Sequence, residues 1–332
     1  MALGGNGGAA LRKWGIRAAG SAVFLGLLFW LLPRDAILKG FAAISLPLFL
    51  GVLGAFLIGH LFGAAKWWLL LDRGLPYLTA LRAHYAGLAA NLCLPGAAGG
   101  DAVRAALAHV AMRNGPKLAA GAVADRLIDM IAMACLSLTG LVLLRGQSSG
   151  LVLGAEIAAV LIAGLAIFVY AVPRAVRAVW TRFPRLPAQG LALRTAASFA
   201  VLGRRPGLLV VTLAMALAIQ PLFGWLSARL GVAVGVDIPL AAWFFAWPLA
   251  KIVAVLPISL NGLGVRESSL AALLVPFGAD AAQVVASGLV WQAVMFCAGG
   301  IGALVLLVSG TGLRAGTSGL NSSRMSNAGV CK

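Results

Sequence analysis

Residues 94–104 read LPGAAGGDAVR and residues 256–266 read LPISLNGLGVR, so one phrase occurs twice in an otherwise apolar chain. Counted from the proline, both copies have glycine at the fifth following position, valine at the eighth and arginine at the ninth. The triplet Leu-Phe-Gly precedes each copy by a similar distance, at 61–63 and at 222–224. Broken, charged segments at matching positions in two halves of a chain are typical of the binding sites of membrane transporters.

The composition indicates an integral membrane protein. Of 332 residues, 61% are hydrophobic and 11% are charged, whereas a soluble domain is about half apolar and about a quarter charged. A net charge of +17 would suggest nucleic acid as the partner of a soluble protein. In a membrane protein this charge follows from topology and anionic lipids, because basic residues gather on cytoplasmic loops. We therefore expect membrane lipids, and no nucleic acid, as partners.

The sequence predicts no metal site and no cofactor. The four cysteines are scattered through the chain and lack the spacing of metal ligands. Neither a phosphate-binding loop nor a nucleotide fingerprint or metalloprotease motif is present. ATP-driven transport by this chain alone is therefore not expected.

The predicted fold class is an all-α polytopic membrane protein with eight apolar segments. A spanning helix takes about twenty mostly apolar residues. Six segments meet this length as full transmembrane helices: 17–33, 41–65, 118–144, 151–173, 207–229 and 281–309. The two others, 78–95 and 239–257, each run into one copy of the phrase and are predicted to be re-entrant or broken.

The domain organisation follows from these segments. We expect a cytoplasmic N-terminus over 1–15, a transmembrane domain over 16–309, and a disordered tail over 310–332, which is rich in glycine, serine and asparagine. Within the transmembrane domain, repeat one covers about 41–173 and repeat two about 207–309. The connection over 174–206 carries seven arginines and no acid.

Basic residues predict the orientation. Placing the N-terminus, 66–82, 104–117, 174–206 and the tail in the cytoplasm leaves few basic residues outside. The first phrase then enters the membrane from the inside and the second from the outside, which makes the repeat inverted. If both segments crossed fully, the repeat would be parallel. We expect a multi-pass protein of a bacterial inner membrane with both termini in the cytoplasm.

The phrases themselves are candidate binding elements. Non-helical backbone at membrane depth lies either within protein or beside water, since lipid cannot satisfy its polar groups. Glycine-rich turns can also expose N–H groups to an anion, and four glycines occupy such positions: Gly99, Gly100, Gly262 and Gly264. Arg104 and Arg266 could add the two-pronged grip of guanidinium on phosphate. In the competing interpretation the glycines allow close packing, while Arg104 pairs with Asp101 and Arg266 with Glu267.

A second group of charges lies inside the apolar segment 118–144. Asp125 and Asp129 share a helix face, and Arg126 is near enough to pair with Asp129. Ionisable residues inside a span usually face the bundle interior and mark a pathway. An interfacial salt-bridge cluster at the helix end is the alternative.

Several further polar residues flank these groups. Lys251 lies shortly before the second phrase and is predicted to contact a headgroup or to pair with Glu267. Asn91 lies just before the first phrase and Asn261 lies within the second, and both are predicted to form hydrogen bonds between helices. The three histidines are isolated in sequence and predicted to pack: His60, His84 and His109. Tryptophans near the span ends are predicted to form an aromatic belt: Trp30, Trp67, Trp68, Trp180, Trp243 and Trp247.

At these residues the chain resembles the lysylphosphatidylglycerol synthase transmembrane-domain family of flippase-like membrane proteins. The family's first block is matched by Asn91, Leu94-Pro95-Gly96, Gly99-Gly100-Asp101 and Arg104. Its acid-arginine-leucine element is matched by Asp125-Arg126-Leu127, and its late block by Pro257, Ser259, Gly262-Leu263-Gly264 and Arg266-Glu267. The resemblance covers residues 40–310. The acid before Arg126 is often glutamate in the family and is aspartate here.

The resemblance implies translocation of a lipid with an anionic, aminoacylated or glycosylated headgroup. Bifunctional members carry a soluble aminoacyltransferase domain after the membrane part, and the present sequence contains none, so lysyl transfer is not expected. Two alternatives remain open. One is a membrane-embedded transferase in which Asp101, Asp125 and Asp129 hold a divalent metal. The other is a non-catalytic partner that docks a lipid synthase through 174–206. A homodimer is compatible with each role.

Overall fold

The computed structural model describes residues 34–93, 98–146, 150–183, 187–254 and 263–308. Within these ranges the regular secondary structure is helical, as predicted. The α-helices are α1 Arg34–Ala42, α2 Leu46–Leu70, α3 Tyr77–Cys93, α4 Ala98–Met112, α5 Gly115–Leu144, α6 Gly150–Ala166, α7 Val172–Arg182, α8 Gln189–Gly203, α9 Pro206–Ala233, α10 Leu240–Ala254, α11 Val265–Leu274 and α12 Ala281–Val308. A π-helical turn, Ile167–Ala171, joins α6 to α7, and a 3₁₀ turn, Val275–Phe277, follows α11.

Local sequence explains where the long helices begin. Prolines occupy the first turn of α2, α5 and α9, where their fixed φ suits a helix and the missing N–H is not needed. The Asn114 side chain also caps α5 by accepting a hydrogen bond from Lys117 N at 3.1 Å. These signals set the boundaries of the spans more closely than hydropathy does.

Four helices of the described part are long and apolar enough to cross a membrane: α2, α5, α9 and α12. The predicted segment 17–33 lies outside the described residues. The predicted segment 151–173 is divided among α6, the π turn and the start of α7, so it is not one uninterrupted helix. The two predicted segments that run into the repeated phrase, 78–95 and 239–257, form the shorter helices α3 and α10. The described part therefore supports four full spans and does not establish the predicted six.

The two halves of the chain have the same order of helices. In each half a long helix is followed by a shorter one, by the phrase, by another shorter helix and by a second long helix: α2 to α5, then α9 to α12. The halves interlock, because α3 packs against α12 of the other half and α10 packs against α5. These two contacts are equivalent under exchange of the halves.

A pair of glycines allows these equivalent contacts. Gly140 and Gly302 are 162 residues apart, as are the two phrase prolines. A Cβ on Gly140 would lie 2.4 Å from the backbone nitrogen of Phe245 in α10, and one on Gly302 would lie 2.3 Å from the carbonyl oxygen of Tyr85 in α3. Small residues permit such close approach of membrane helices. Each half therefore contacts the other through a glycine that lets two helices approach closely.

A polar cluster joins three helix ends on one side of the bundle. Asp72, in the turn after α2, accepts hydrogen bonds from Lys117 near the start of α5 and from Arg205 just before α9. The hydrogen bond from Arg205 is the main cause that lowers the pKa of Asp72. The end of α2 and the start of α9 therefore lie together.

Candidate functional site

A cavity of about 250 Å³ lies between the two halves of the bundle. Helices α2 to α5 of the first half and α9 to α12 of the second contribute to its walls. Its lining includes five basic and three acidic side chains: Lys66, Arg104, Arg126, Lys251, Arg266, Asp101, Asp125 and Asp129. All but one of these, Lys66, were predicted as site residues.

Asp125 on α5 is the centre of the buried charges. Its Oδ1 lies 3.1 Å from Lys66 Nζ, and its Oδ2 accepts a hydrogen bond from Arg104 Nη2 at 3.1 Å. The three side chains are at most 8% exposed. The Arg104 guanidinium also lies over the ring of Trp67, 4.4 Å from its centroid, which adds a cation–π contact. One carboxylate thus contacts two buried cations.

Lys66 is the residue that sequence reasoning missed. The segment 66–82 was predicted to be cytoplasmic, but α2 continues to Leu70 and buries Lys66 inside the bundle. Its Nζ also lies 2.5 Å from Asp129 Oδ1. The signal was present in the sequence, because the apolar run Trp67–Leu71 follows the lysine directly. A single charge does not end a helix when apolar residues continue beyond it.

Asp101 on α4 binds two arginines. Its Oδ2 accepts from Arg126 Nη2 at 2.5 Å and Nε at 2.8 Å, and its Oδ1 lies 3.3 Å from Arg104 Nη2. The predicted Asp101–Arg104 pair is therefore present. The predicted pairing of Arg126 with Asp129 is wrong: Arg126 binds Asp101 from the neighbouring helix, while Asp129 binds Lys66 and Gln220.

Lys251 on α10 lies on the opposite wall. Its Nζ donates to Gln220 Oε1 at 3.0 Å, and Gln220 Nε2 donates to Asp129 Oδ1 at 3.1 Å. The ammonium lies 4.9 Å from the ring centroid of Trp247. The predicted alternative that Lys251 pairs with Glu267 is wrong, because the carboxylate of Glu267 is bound to the neighbouring Arg266.

The Arg266–Glu267 pair at the start of α11 is present as predicted. Arg266 Nη2 donates to Glu267 Oε1 at 2.5 Å and to Gln292 Oε1 at 3.1 Å. Glu267 is fully buried, and its Oε2 accepts from Gly264 N at 2.8 Å. Gly264 has φ of +81°, a conformation that glycine adopts without steric cost. The second phrase therefore ends at an arginine whose charge is compensated by the next residue, Glu267.

In the described part of the first phrase, Gly100 fits the competing interpretation, in which the glycines allow close packing. Gly99 and Gly100 lie in the first turn of α4, and Gly100 N donates to Asn91 Oδ1 at 2.9 Å. A Cβ on Gly100 would lie 2.4 Å from Gly87 O, so this glycine serves the packing of α4 on α3. The Gly100 N–H is thus already used and is not offered to an anion. Asn261 and Gly262 lie outside the described residues.

Two histidines that are isolated in the sequence lie together in the structure. His60 Nδ1 and His84 Nε2 lie 3.0 Å apart, and both rings line the cavity. His84 Nδ1 is 3.4 Å from Arg104 Nη1. Both rings also pack against aromatic side chains, as predicted, whereas His109 is exposed in the last turn of α4. Three of the tryptophans are buried within the bundle: Trp67, Trp243 and Trp247.

The carboxylates of the cavity are engaged by cations. Within the described ranges, no group of three metal-ligating side chains has the geometry of a metal site. Asp101, Asp125 and Asp129 each contact at least one lysine or arginine. A metal ion would have to displace these contacts.

The fold and the site together define a class of protein: a multi-pass α-helical membrane protein with a charged cavity between two interlocked halves. Residues 17–303 match the family model described as the lysylphosphatidylglycerol synthase TM region. The chain belongs to this family, which confirms the resemblance of its motifs. Comparison with curated proteins gives no significant match.

Proposed function

We propose that this protein moves a polar-headed lipid between the two leaflets of a bacterial inner membrane. The observation that carries the proposal is a charged cavity that adjoins an apolar groove. The groove lies between α2 and α9, has a volume of about 460 Å³, and shares Gly59 and Ile219 with the cavity lining. Its walls are apolar: Gly59, Phe62, Val211, Ala214, Met215, Ala218, Ile219 and Leu222.

A lipid matches this pairing of surfaces. The headgroup, whether it carries a phosphate, an aminoacyl group or a sugar, would enter the charged cavity, whose lining contains side chains of both signs. An acyl chain would stay in the groove, which opens beside exposed side chains such as Phe62 and Val211. Little apolar surface then has to cross the polar path, and little polar surface has to meet lipid.

An inverted repeat would give this site access from both faces. The inverted repeat is supported by the packing of α2 and α9, the first helices of the two halves. Asp72 at the end of α2 contacts Arg205 at the start of α9, whereas Gly59 farther back in α2 meets Phe223 farther along α9. Corresponding helices that run antiparallel are what an inverted repeat requires. Both termini would then be cytoplasmic.

The orientation can be tested at two corresponding turns. Arg73 follows α2 and Asp237 follows α9, and both are exposed. After replacement of the four native cysteines by serine, Arg73→Cys and Asp237→Cys are labelled with a membrane-impermeant thiol reagent. We expect labelling of Arg73→Cys from the cytoplasmic face and of Asp237→Cys from the opposite face. Labelling of both from one face would indicate a parallel repeat.

Lipid translocation is tested in liposomes. The purified protein is reconstituted with headgroup-labelled anionic, aminoacylated and glycosylated lipids, and exchange between leaflets is measured. We expect protein-dependent exchange of at least one lipid. Ala218→Trp should slow this exchange about tenfold or more, since an indole side chain would fill the groove beside Gly59.

The matched control is Ala134→Trp, an exposed position on α5 away from the cavity and the groove. It should exchange lipid like the wild type. If both variants slow exchange equally, the groove has no special role. If the wild type exchanges no lipid of the panel, the translocation proposal fails, and docking of a synthase through the exposed arginines of α7 and α8 becomes the better interpretation.

The transferase alternative is less well supported. It needs Asp101, Asp125 and Asp129 to share a divalent metal, and these carboxylates are bound to Lys66, Arg104 and Arg126 instead. A new lipid product that no longer forms when divalent metal ions are chelated would nevertheless support the transferase alternative.

A further inference from the structure

We infer that Lys251 is the group that binds the phosphate of the lipid headgroup; this inference rests on the proposed function. It revises the sequence-based expectation that Arg104 and Arg266 grip the phosphate. The inference follows from the charge pairing inside the cavity, from the environment of the ammonium group and from its position on the wall.

When Glu267, the partner of Arg266, is counted with the lining, the cavity has one positive charge in excess among the residues that the structure describes. Five basic side chains line it. Lys66, Arg104 and Arg126 share three aspartates, and Arg266 has Glu267. No described carboxylate lies within 4.0 Å of Lys251 Nζ, whose hydrogen-bond partner is the neutral amide of Gln220. Lys251 is thus the cation left for an external anion.

The surroundings hold this ammonium in a fixed position. Gln220 accepts its hydrogen bond and is oriented in turn by Asp129. The aromatic faces of Trp247 and Phe223 lie 4.9 Å and 5.8 Å from the nitrogen, a cation–π arrangement. An ammonium carries three donors, and one is used by Gln220. Two donors remain for an oxygen-rich anion.

The arginines are poorer candidates because their charges are already compensated. A phosphate that bound Arg104 would compete with Asp125 and Asp101, and one that bound Arg266 would compete with the buried Glu267. Separating a buried ion pair leaves an uncompensated charge, which is strongly unfavourable. Lys251 can bind a phosphate without breaking any ion pair. The arginines then shape the cavity, and the lysine recognises the anion.

The test is calorimetric titration of the purified full-length protein in detergent. Three probes are compared: dihexanoyl phosphatidylglycerol, dihexanoylglycerol without a phosphate, and inorganic phosphate. We expect the wild type to bind the phosphate-bearing lipid about tenfold or more tightly than dihexanoylglycerol. Lys251→Met should remove most of this preference, because it should weaken binding of the phosphate-bearing lipid about tenfold or more. Lys251→Arg should retain the preference.

Lys39→Met, an exposed lysine of α1, is the control and should bind like the wild type. Lys251→Gln is a second neutral variant if the methionine variant does not fold. Tight binding of inorganic phosphate alone would identify a free phosphate, not a lipid, as the ligand and would overturn the lipid assignment. Unchanged lipid binding in both neutral variants would overturn the role of Lys251.

The outcome is separable from that of the proposed function. If Lys251→Met loses lipid binding but the wild type does not exchange lipids in liposomes, the binding site stands and translocation fails. If the wild type exchanges lipids and Lys251→Met exchanges and binds them equally well, translocation stands and the inference is wrong.

Discussion

Asp125→Ala is expected to destabilise the protein by about 3–5 kcal/mol and to abolish lipid exchange. The aspartate contacts both Lys66 and Arg104, and the three side chains are almost completely buried. Removing one member of a buried ion pair leaves an unpaired charge, at a cost of about 3–5 kcal/mol in known cases. The change is measured as loss of thermal stability in detergent. Asp237→Ala, at an exposed turn, is the control and should have little effect.

A double variant separates the charge effect from the loss of side-chain volume. Lys66→Met combined with Asp125→Ala removes one positive and one negative charge from the same pair. Because the two groups interact directly at 3.1 Å, the double variant should be less destabilised than the sum of the single variants. Additive effects would show that the pair contributes nothing by its charges. Wild-type stability of Asp125→Ala would contradict the central role of this carboxylate.

Local features of the site could be predicted from sequence. The Asp101–Arg104 and Arg266–Glu267 pairs lie three residues and one residue apart in the chain, so their closeness in the sequence suggested both pairs. The repeated phrase likewise predicted two related halves. These statements depend on neighbours within one helix, which periodicity and spacing describe well.

The contacts that assemble the cavity could not be predicted in this way. Lys66 and Asp129 are 63 residues apart, and Lys251 and Gln220 are 31 apart. Which residue faces which depends on how the helices pack, and a single sequence does not state this. For the same reason Arg126 was assigned to Asp129 on its own helix, although Asp101 on α4 is the partner that packing provides. Closeness in the sequence therefore does not reliably predict which charged residues pair inside a helical bundle.

Glu267→Gln is expected to produce the second large loss of stability. A negative charge placed at another position beside Arg266 should restore the stability. Glu267 is fully buried, and its two oxygens accept hydrogen bonds from Arg266 Nη2 and Gly264 N. Glutamine keeps the shape but has one acceptor oxygen, so either the arginine or the backbone N–H loses its partner and Arg266 loses its counter-charge. Losing that counter-charge should cost about 3–5 kcal/mol, measured as thermal stability in detergent.

The restoring change is Gln292→Glu, because Gln292 Oε1 already lies 3.1 Å from Arg266 Nη2. In the double variant a carboxylate again faces the arginine, from α12 instead of α11. If stability returns in the double variant, the requirement is a negative charge beside Arg266. If it does not return, the irreplaceable contact is the one from Gly264 N, and Glu267 serves mainly to hold the start of α11. If the double variant is stable and exchanges lipid, Arg266 needs a compensating charge but not this particular glutamate. This is the result expected for a residue that shapes the cavity while Lys251 binds the anion.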